Sequence, residues 1–209
     1  MSPVQYTVAV RDAHAHLFDI TLTVAAAGRR QVLALPVWIP GSYLVREFSQ
    51  HLQGLSATSN GRPVALQQLD KHRWRAEVEA GARLTVSYQV YAFDASVRTA
   101  FLDSTRGFFN GTSTCLRVVG QEDRPHTLTI APGAAPAGWR VATGLKPTQV
   151  DADGWGRYSA ADYDELVDCP VELGSFWSGE FTACGVPHRF VVSGAGAWFD
   201  GRLLACLFS

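Results

Sequence analysis

Lysine is nearly missing from this sequence of 209 residues: Lys71 and Lys146 are the only two among 18 basic residues. With 19 acidic residues the formal charge is −1. The basic excess that nucleic acid or a polybasic membrane contact requires is therefore absent. Long apolar runs are absent too. The longest, Val32 to Ile39, is interrupted by Pro36 and falls short of the roughly 20 residues of a spanning helix. Met1-Ser-Pro-Val-Gln-Tyr6 has no basic stretch leading into an apolar one, so no secretory signal is visible and the cytoplasm is the expected compartment. The four cysteines, at 115, 169, 184 and 206, form no C-x-x-C pair, and they read as buried thiols rather than a disulfide frame or zinc cluster. None of the six histidines opens an H-E-x-x-H, which would set two imidazoles on one helix face. A G-x-S-x-G elbow, a G-x-x-x-x-G-K-[ST] loop and a G-x-G-x-x-G turn are all lacking, which argues against a serine hydrolase and a phosphate cradle.

What is present is material for a core. The chain is 47% hydrophobic, with 6 Trp, 6 Tyr and 11 Phe, and disordered chains are poor in aromatics. From His14 to Val24 the pattern alternates, with His14, His16, Phe18, Ile20, Leu22 and Val24 on one face. A period of two is the mark of a half-buried strand. Val32 to Ile39 reads as a second strand broken by proline. Asn60-Gly61 centres a hairpin between Leu52 and Leu69, because both residues tolerate positive φ. Trp74 to Val78, Leu84 to Phe93, Cys115 to Val119, Thr127 to Ile130 and Trp139 to Ala142 read as further strands. Phe176 to Cys184 and Pro187 to Ser193 read as a closing hairpin. A single short helix is expected near 160–167, capped by Ser159 with Asp162 three residues on, and stopped before Pro170. Many short strands between turn signals predict a mainly β, antiparallel, sandwich-like fold.

No complete active site emerges from the residues themselves. His14 and His16 on one strand face are two ligands where zinc wants three or four. Asp162, Asp164, Glu165 and Asp168 suit the positive end of a helix in water better than an acid–base pair. Arg46 with Glu47, and Asp94 with Arg98, are expected as structural ion pairs.

Five blocks together carry a family likeness. They are Leu35-Pro-Val-Trp-Ile-Pro-Gly-Ser-Tyr-Leu-Val-Arg-Glu-Phe48, Asp70-Lys-His-Arg-Trp74, Val90-Tyr-Ala-Phe-Asp-Ala-Ser-Val-Arg-Thr-Ala100, Arg106-Gly-Phe-Phe-Asn-Gly-Thr-Ser113 and Ala161-Asp-Tyr-Asp-Glu-Leu-Val-Asp-Cys-Pro-Val-Glu172. The chain resembles the N-terminal domain of the glycyl aminopeptidases, metallopeptidase family 61, many of which carry a PDZ domain. The resemblance implies a β-rich N-terminal domain, then a zinc domain with H-E-x-x-H and a glutamate ligand. It also implies removal of N-terminal residues, glycine above all, from peptides. Cys206-Leu-Phe-Ser209 comes before any such ligand. Residues 1–195 are thus expected to be the β-rich domain, and 196–209 the truncated start of the link to an absent zinc domain. No cofactor is expected in this chain itself, and zinc is expected in the absent domain. The expected partners are a peptide substrate and that zinc domain, with no nucleic acid and no membrane.

By analogy with related zinc aminopeptidases, a loop of this domain offers polar groups to the free amine of the substrate. The resemblance nominates Phe108-Phe-Asn-Gly-Thr-Ser113, with Asn110, Gly111 and Thr112 supplying acceptors and Phe108 or Phe109 walling off larger side chains. The same segment also reads as a turn packed by two phenylalanines. Tyr43, Arg46 and Arg98 are the next candidates, as substrate contacts or as braces across a domain boundary. An autonomous β-sandwich module for a peptide or carbohydrate is the alternative reading.

Overall fold

The alternation seen in the sequence sets the faces of the strands. In the computed structural model, which describes residues 2–39 and 42–194, β1 (Val4–Asp12) buries Val4, Tyr6, Val8 and Val10. In β2 (Leu17–Val24), Phe18, Ile20, Leu22 and Val24 point the same way, and so do Leu84, Val86, Tyr88 and Val90 in β8 (Leu84–Tyr91). These strands are the centre of an eight-stranded sheet. It also holds β4 (Leu52–Ser59), β5 (Arg62–Val64), β12 (His126–Gly133), β14 (Lys146–Val150) and β15 (Gly156–Ala160), in the order β14-β15-β12-β1-β2-β8-β4-β5. Sheets of this kind bury one face and leave the other wet.

Two four-stranded sheets cover the buried face. One runs β13 (Arg140–Thr143), β16 (Val171–Gly174), β10 (Arg106–Phe109), β9 (Ala100–Leu102). The other runs β11 (Arg117–Val118), β3 (Arg30–Ala34), β7 (Arg73–Glu77), β6 (Leu66–Gln68). All three sheets contribute to one apolar cluster, from Phe18 and Leu84 through Leu33 and Trp74 to Leu102, Phe109 and Leu173. A two-stranded ribbon, β17 (Trp177–Ala183) and β18 (Val186–Val192), follows as the sequence predicts. The architecture is mainly β and sandwich-like, with one exception to antiparallel order among the described strands: β1 pairs in parallel with β12, Tyr6 opposite Leu128.

Several local expectations need correction. The strand expected from Val32 to Ile39 stops at Ala34, because Pro36 lacks the N–H to continue a ladder. His14 and His16 lie in the turn between β1 and β2, where His16 has φ 60, so they do not share a strand face. Cys115 to Val119 keeps only Arg117–Val118 as strand, because a second helix precedes it, α1 (Gly111–Thr114). The expected helix is α2 (Tyr163–Asp168), and its cap is Asp162 rather than Ser159, which belongs to β15. Asp162 Oδ1 accepts from Glu165 N at 2.8 Å, and Glu165 Oε2 reaches back to Ala161 N. Asp162 is therefore the cap, and Glu165 makes a capping-box-like return bond one residue earlier, to the Ala161 amide. Among the described cysteines only Cys115 is fully buried; Cys169 is half-buried and Cys184 exposed in the ribbon turn. Residues 196–209, and Cys206 with them, lie outside the described residues.

Candidate functional site

Strand β10 delivers Asn110 to the N-cap of α1, with extended backbone at φ −98 and ψ 134. Asn110 Oδ1 accepts from Thr112 N at 3.0 Å and from Thr112 Oγ1 at 2.6 Å. Its main-chain oxygen accepts from Ser113 N at 3.0 Å and Ser113 Oγ at 2.8 Å. The side-chain oxygen nominated for an ammonium is thus held by the turn itself. None of the hydrogen bonds among the described residues uses Asn110 Nδ2, so the part of the side chain that the turn does not engage is a donor. Thr112 Oγ1, having given its proton to Asn110, keeps acceptor lone pairs.

Gly111 is a point of contact between the two helices. A Cβ built on it would lie 3.0 Å from Val167 Cα and 3.2 Å from Leu166 O. Phe109 is 1% exposed, with its ring edge-on to Phe18 at 5.6 Å, so it belongs to the core and not to a pocket wall. Phe108 points to the opposite face, into a shallow recess of about 350 Å³ beside Pro170, Glu172 and Arg189. In that recess Glu172 receives the Ser193 hydroxyl and pairs with Arg106 at 3.5 Å, while burial raises its pKa above the ordinary value.

Asn110 and Thr112 open instead onto a cleft of about 860 Å³. One side is Pro36, Trp38 and Ile39 from the loop after β3; the other is Arg117, Glu122 and the run from Asp162 to Asp168. Five carboxylates line it, those of Glu122, Asp162, Asp164, Glu165 and Asp168, against the single cation Arg117. Arg117 is itself paired with Glu122 at 3.6 Å. Asp162, Asp164 and Glu165 do form the start of α2, as the sequence suggests, with Asp164, Glu165 and Asp168 exposed, and they share the cleft lining with the nominated turn. Trp38, half exposed at 53%, supplies the apolar wall.

The remaining nominees are placed less centrally. Arg98 is half-buried, with its N–H bonded to Ser96 Oγ at 3.3 Å. Its loop joins the site because Thr99 O accepts from Asn110 N at 3.0 Å. Asp94 caps Ser96 N at 2.9 Å and forms no ion pair with Arg98. Tyr43 is fully exposed, and Arg46 is held by Val37 O and Ser42 Oγ; neither lines the cleft. Glu47 pairs with Lys71 at 3.3 Å, not with Arg46. Among the described residues no group of three or more His, Cys, Asp or Glu side chains could hold a metal ion.

Beneath the cleft lies a residue that sequence reading passed over. His126 is 1% exposed, stacks on Tyr6 at 5.9 Å and meets Tyr163 edge-on at 5.7 Å. Its Nδ1 bonds to Arg124 O at 2.7 Å, while its Nε2 is buried without a hydrogen-bond partner. Burial lowers its pKa below the ordinary imidazole value. A histidine at the head of an apolar strand was the available signal.

The family model described as the Peptidase M61 N-terminal domain matches residues 5–175. An aminopeptidase N family protein from Idiomarina loihiensis is 44% identical, with a TM-score of 0.92 over 98% of this chain and 35% of that one. A mutant of the M1 zinc metallopeptidase from Deinococcus radiodurans, solved with a Tyr-Ser-Ala substrate, shares the fold at 17% identity and a TM-score of 0.55. That match covers 99% of this chain and 51% of the other. Leukotriene A4 hydrolase from Saccharomyces cerevisiae shares it at 10% identity and a TM-score of 0.53, over 85% of this chain and 29% of that one. No curated protein matches the sequence. The chain thus spans about half or less of the length of these relatives. With a family model covering most of its length and a 44% identical relative aligned nearly throughout, the chain belongs to the Peptidase M61 N-terminal domain family.

Proposed function

We propose that this chain is the non-catalytic, substrate-positioning domain of a zinc metallo-aminopeptidase that removes N-terminal residues, glycine preferentially, from peptides. The observation that carries the reading is the cleft where Asn110 and Thr112 meet five carboxylates. A free peptide N-terminus is an ammonium followed by a carbonyl. The carboxylates suit the ammonium, and charge-assisted hydrogen bonds of that kind are stronger than neutral ones. Asn110 Nδ2 suits the first carbonyl. Preference for glycine rests on Trp38 and Pro36, which limit space opposite the turn. Zinc and the attacking water belong to a separate catalytic domain, and exposed Tyr43, Leu44 and Val45 give that domain an apolar surface to seat on. The cytoplasm is the compartment that fits this reading.

The test is a titration of the chain with triglycine and with N-acetyl-triglycine, followed by amide NMR. Triglycine should shift the Gly111 and Thr112 signals, and the acetylated peptide should not. Asp164→Asn and Asp168→Asn should each weaken the response several-fold. Equal binding of both peptides, or of neither, refutes the proposal.

A further inference from the structure

Three tyrosines converge under the turn that carries Asn110. Tyr88 Oη, from β8, donates to Thr114 O at 2.7 Å. Tyr163 Oη, from the start of α2, donates to Cys115 O at 2.7 Å. Tyr6 Oη, from β1, donates to Leu116 O at 2.7 Å. Tyr88 Oη also accepts from Leu116 N at 3.1 Å, so the hydroxyl is used in both directions. Three consecutive carbonyls are thus held by three buried hydroxyls from three separate elements.

The need for them follows from the length of α1. A helix leaves its last carbonyls without partners, and α1 has only four residues, Gly111–Thr114. Helices this short do not hold themselves together. After Thr114 the backbone turns extended, with Cys115 at φ −98 and ψ 108. Successive carbonyls in extended chain point to opposite sides, so no single element can reach all three. Tyr6 and Tyr88 come from the eight-stranded sheet on one side, and Tyr163 comes from α2 on the other. The rings are themselves fixed: His126 stacks on Tyr6 and meets Tyr163 edge-on. Burial raises the pKa of all three hydroxyls well above the ordinary phenol value, so each remains a donor throughout the physiological range.

We infer that Tyr6, Tyr88 and Tyr163 are positioning residues that fix the Asn110–Thr112 turn, and with it the placement of Asn110 and Thr112 in the cleft lining. As a statement about ligand recognition, this rests on the reading of that cleft as the peptide site. Phenylalanine would fill the same space, so packing alone does not explain the hydroxyls. They reach the turn through the carbonyls of 114–116 and, for Tyr88, through the Leu116 amide as well.

The test replaces each tyrosine singly by phenylalanine in the 209-residue chain. Tyr158→Phe serves as control, because Tyr158 Oη bonds to Gly154 O, away from the turn. Amide exchange is read at Thr112 and Ser113, and at Val8 and Ile20 as reporters of global opening. Tyr6→Phe, Tyr88→Phe and Tyr163→Phe should speed exchange at Thr112 and Ser113 at least tenfold more than at Val8 and Ile20. Tyr158→Phe should not. The affinity for triglycine should fall at least fivefold in the three variants and stay within twofold in the control. Exchange that rises equally at all four amides would overturn the inference, and so would unchanged triglycine affinity in variants whose turn has loosened. Should the unsubstituted chain fail to bind triglycine, the peptide-site reading falls while the exchange comparison still decides whether the hydroxyls set the turn. Tyr88→Phe loses two bonds; if it does not fold, Tyr6→Phe and Tyr163→Phe, which lose one each, carry the same comparison.

Discussion

Gly111→Ala puts one methyl group where the two helices touch. The new Cβ would sit 3.0 Å from Val167 Cα, 3.1 Å from Val167 Cγ1 and 3.2 Å from Leu166 O. Carbon atoms prefer roughly 3.5–4.0 Å, so the helices must part by about half an ångström. Two of the three atoms are backbone, and α2 is not free to yield. Tyr163 N is bonded to Glu122 O at 2.9 Å, Tyr163 Oη to Cys115 O at 2.7 Å, and Leu166 is buried. Overpacking of this kind costs about 1–3 kcal/mol. Replacing glycine by alanine restricts the unfolded chain, which returns about 0.4–1 kcal/mol. The net loss is roughly 1–2 kcal/mol. In a chain of 150–250 residues each kcal/mol lowers Tm by about 2–4 °C, so a fall of about 2–8 °C is expected. Calorimetry and urea unfolding measure it, and Gly111→Val should cost more. A Gly111→Ala protein as stable as the parent would show that α2 yields freely, and the account of Gly111 as a steric contact would be wrong.

Three further outcomes follow from burial. Phe109→Ala should cost about 3–5 kcal/mol in urea unfolding, the range for buried phenylalanine; a loss under 1 kcal/mol would return Phe109 to the pocket wall. Cys184 should be alkylated in the native protein at pH 8, while Cys115, whose pKa burial pushes up to about 12, should be modified only on unfolding; peptide mass mapping decides this, and native labelling of Cys115 would refute it. His126 binds its proton less readily when folded than when unfolded, because burial lowers its pKa from the ordinary 6.5. Its contribution is therefore complete above that value and is lost as pH falls through the lower folded one. Comparing the parent with His126→Phe in urea at pH 7.5 and pH 5 should show a smaller drop on acidification in the variant; an identical drop would exclude the imidazole as a cause.

Much of the secondary structure was legible because its causes are local. Asn60 and Gly61 take φ 48 and φ 79 and close β4 onto β5, as their tolerance of positive φ requires. The ribbon β17–β18 fell where the sequence placed it for a similar reason. Errors arose where two local signals competed. Ser159 and Asp162 both read as caps, and Ser159 was already taken by its pairing with Thr127 in β12. Arg46 and Glu47 are neighbours in sequence, but Lys71, from a distant turn, reached the carboxylate.

The candidate site was half legible. Family likeness pointed to Asn110, Gly111 and Thr112, and Asn110 and Thr112 do line a cleft. The sequence could not say that the Asn110 oxygen is consumed by the turn, that Phe109 is core, or that the acids of α2 line the same cleft. By itself it determined which residues alternate, where the chain turns and which faces are apolar, since side-chain chemistry and backbone sterics act over a few residues. Only the tertiary structure decided that β1 runs parallel to β12, that α2 lies against Gly111, and that Tyr6 reaches Leu116 across 110 residues of chain. The entropy of closing so long a loop grows only slowly with its length, so spacing along the chain hardly biases which distant segments meet. The choice falls to the packing of the whole core.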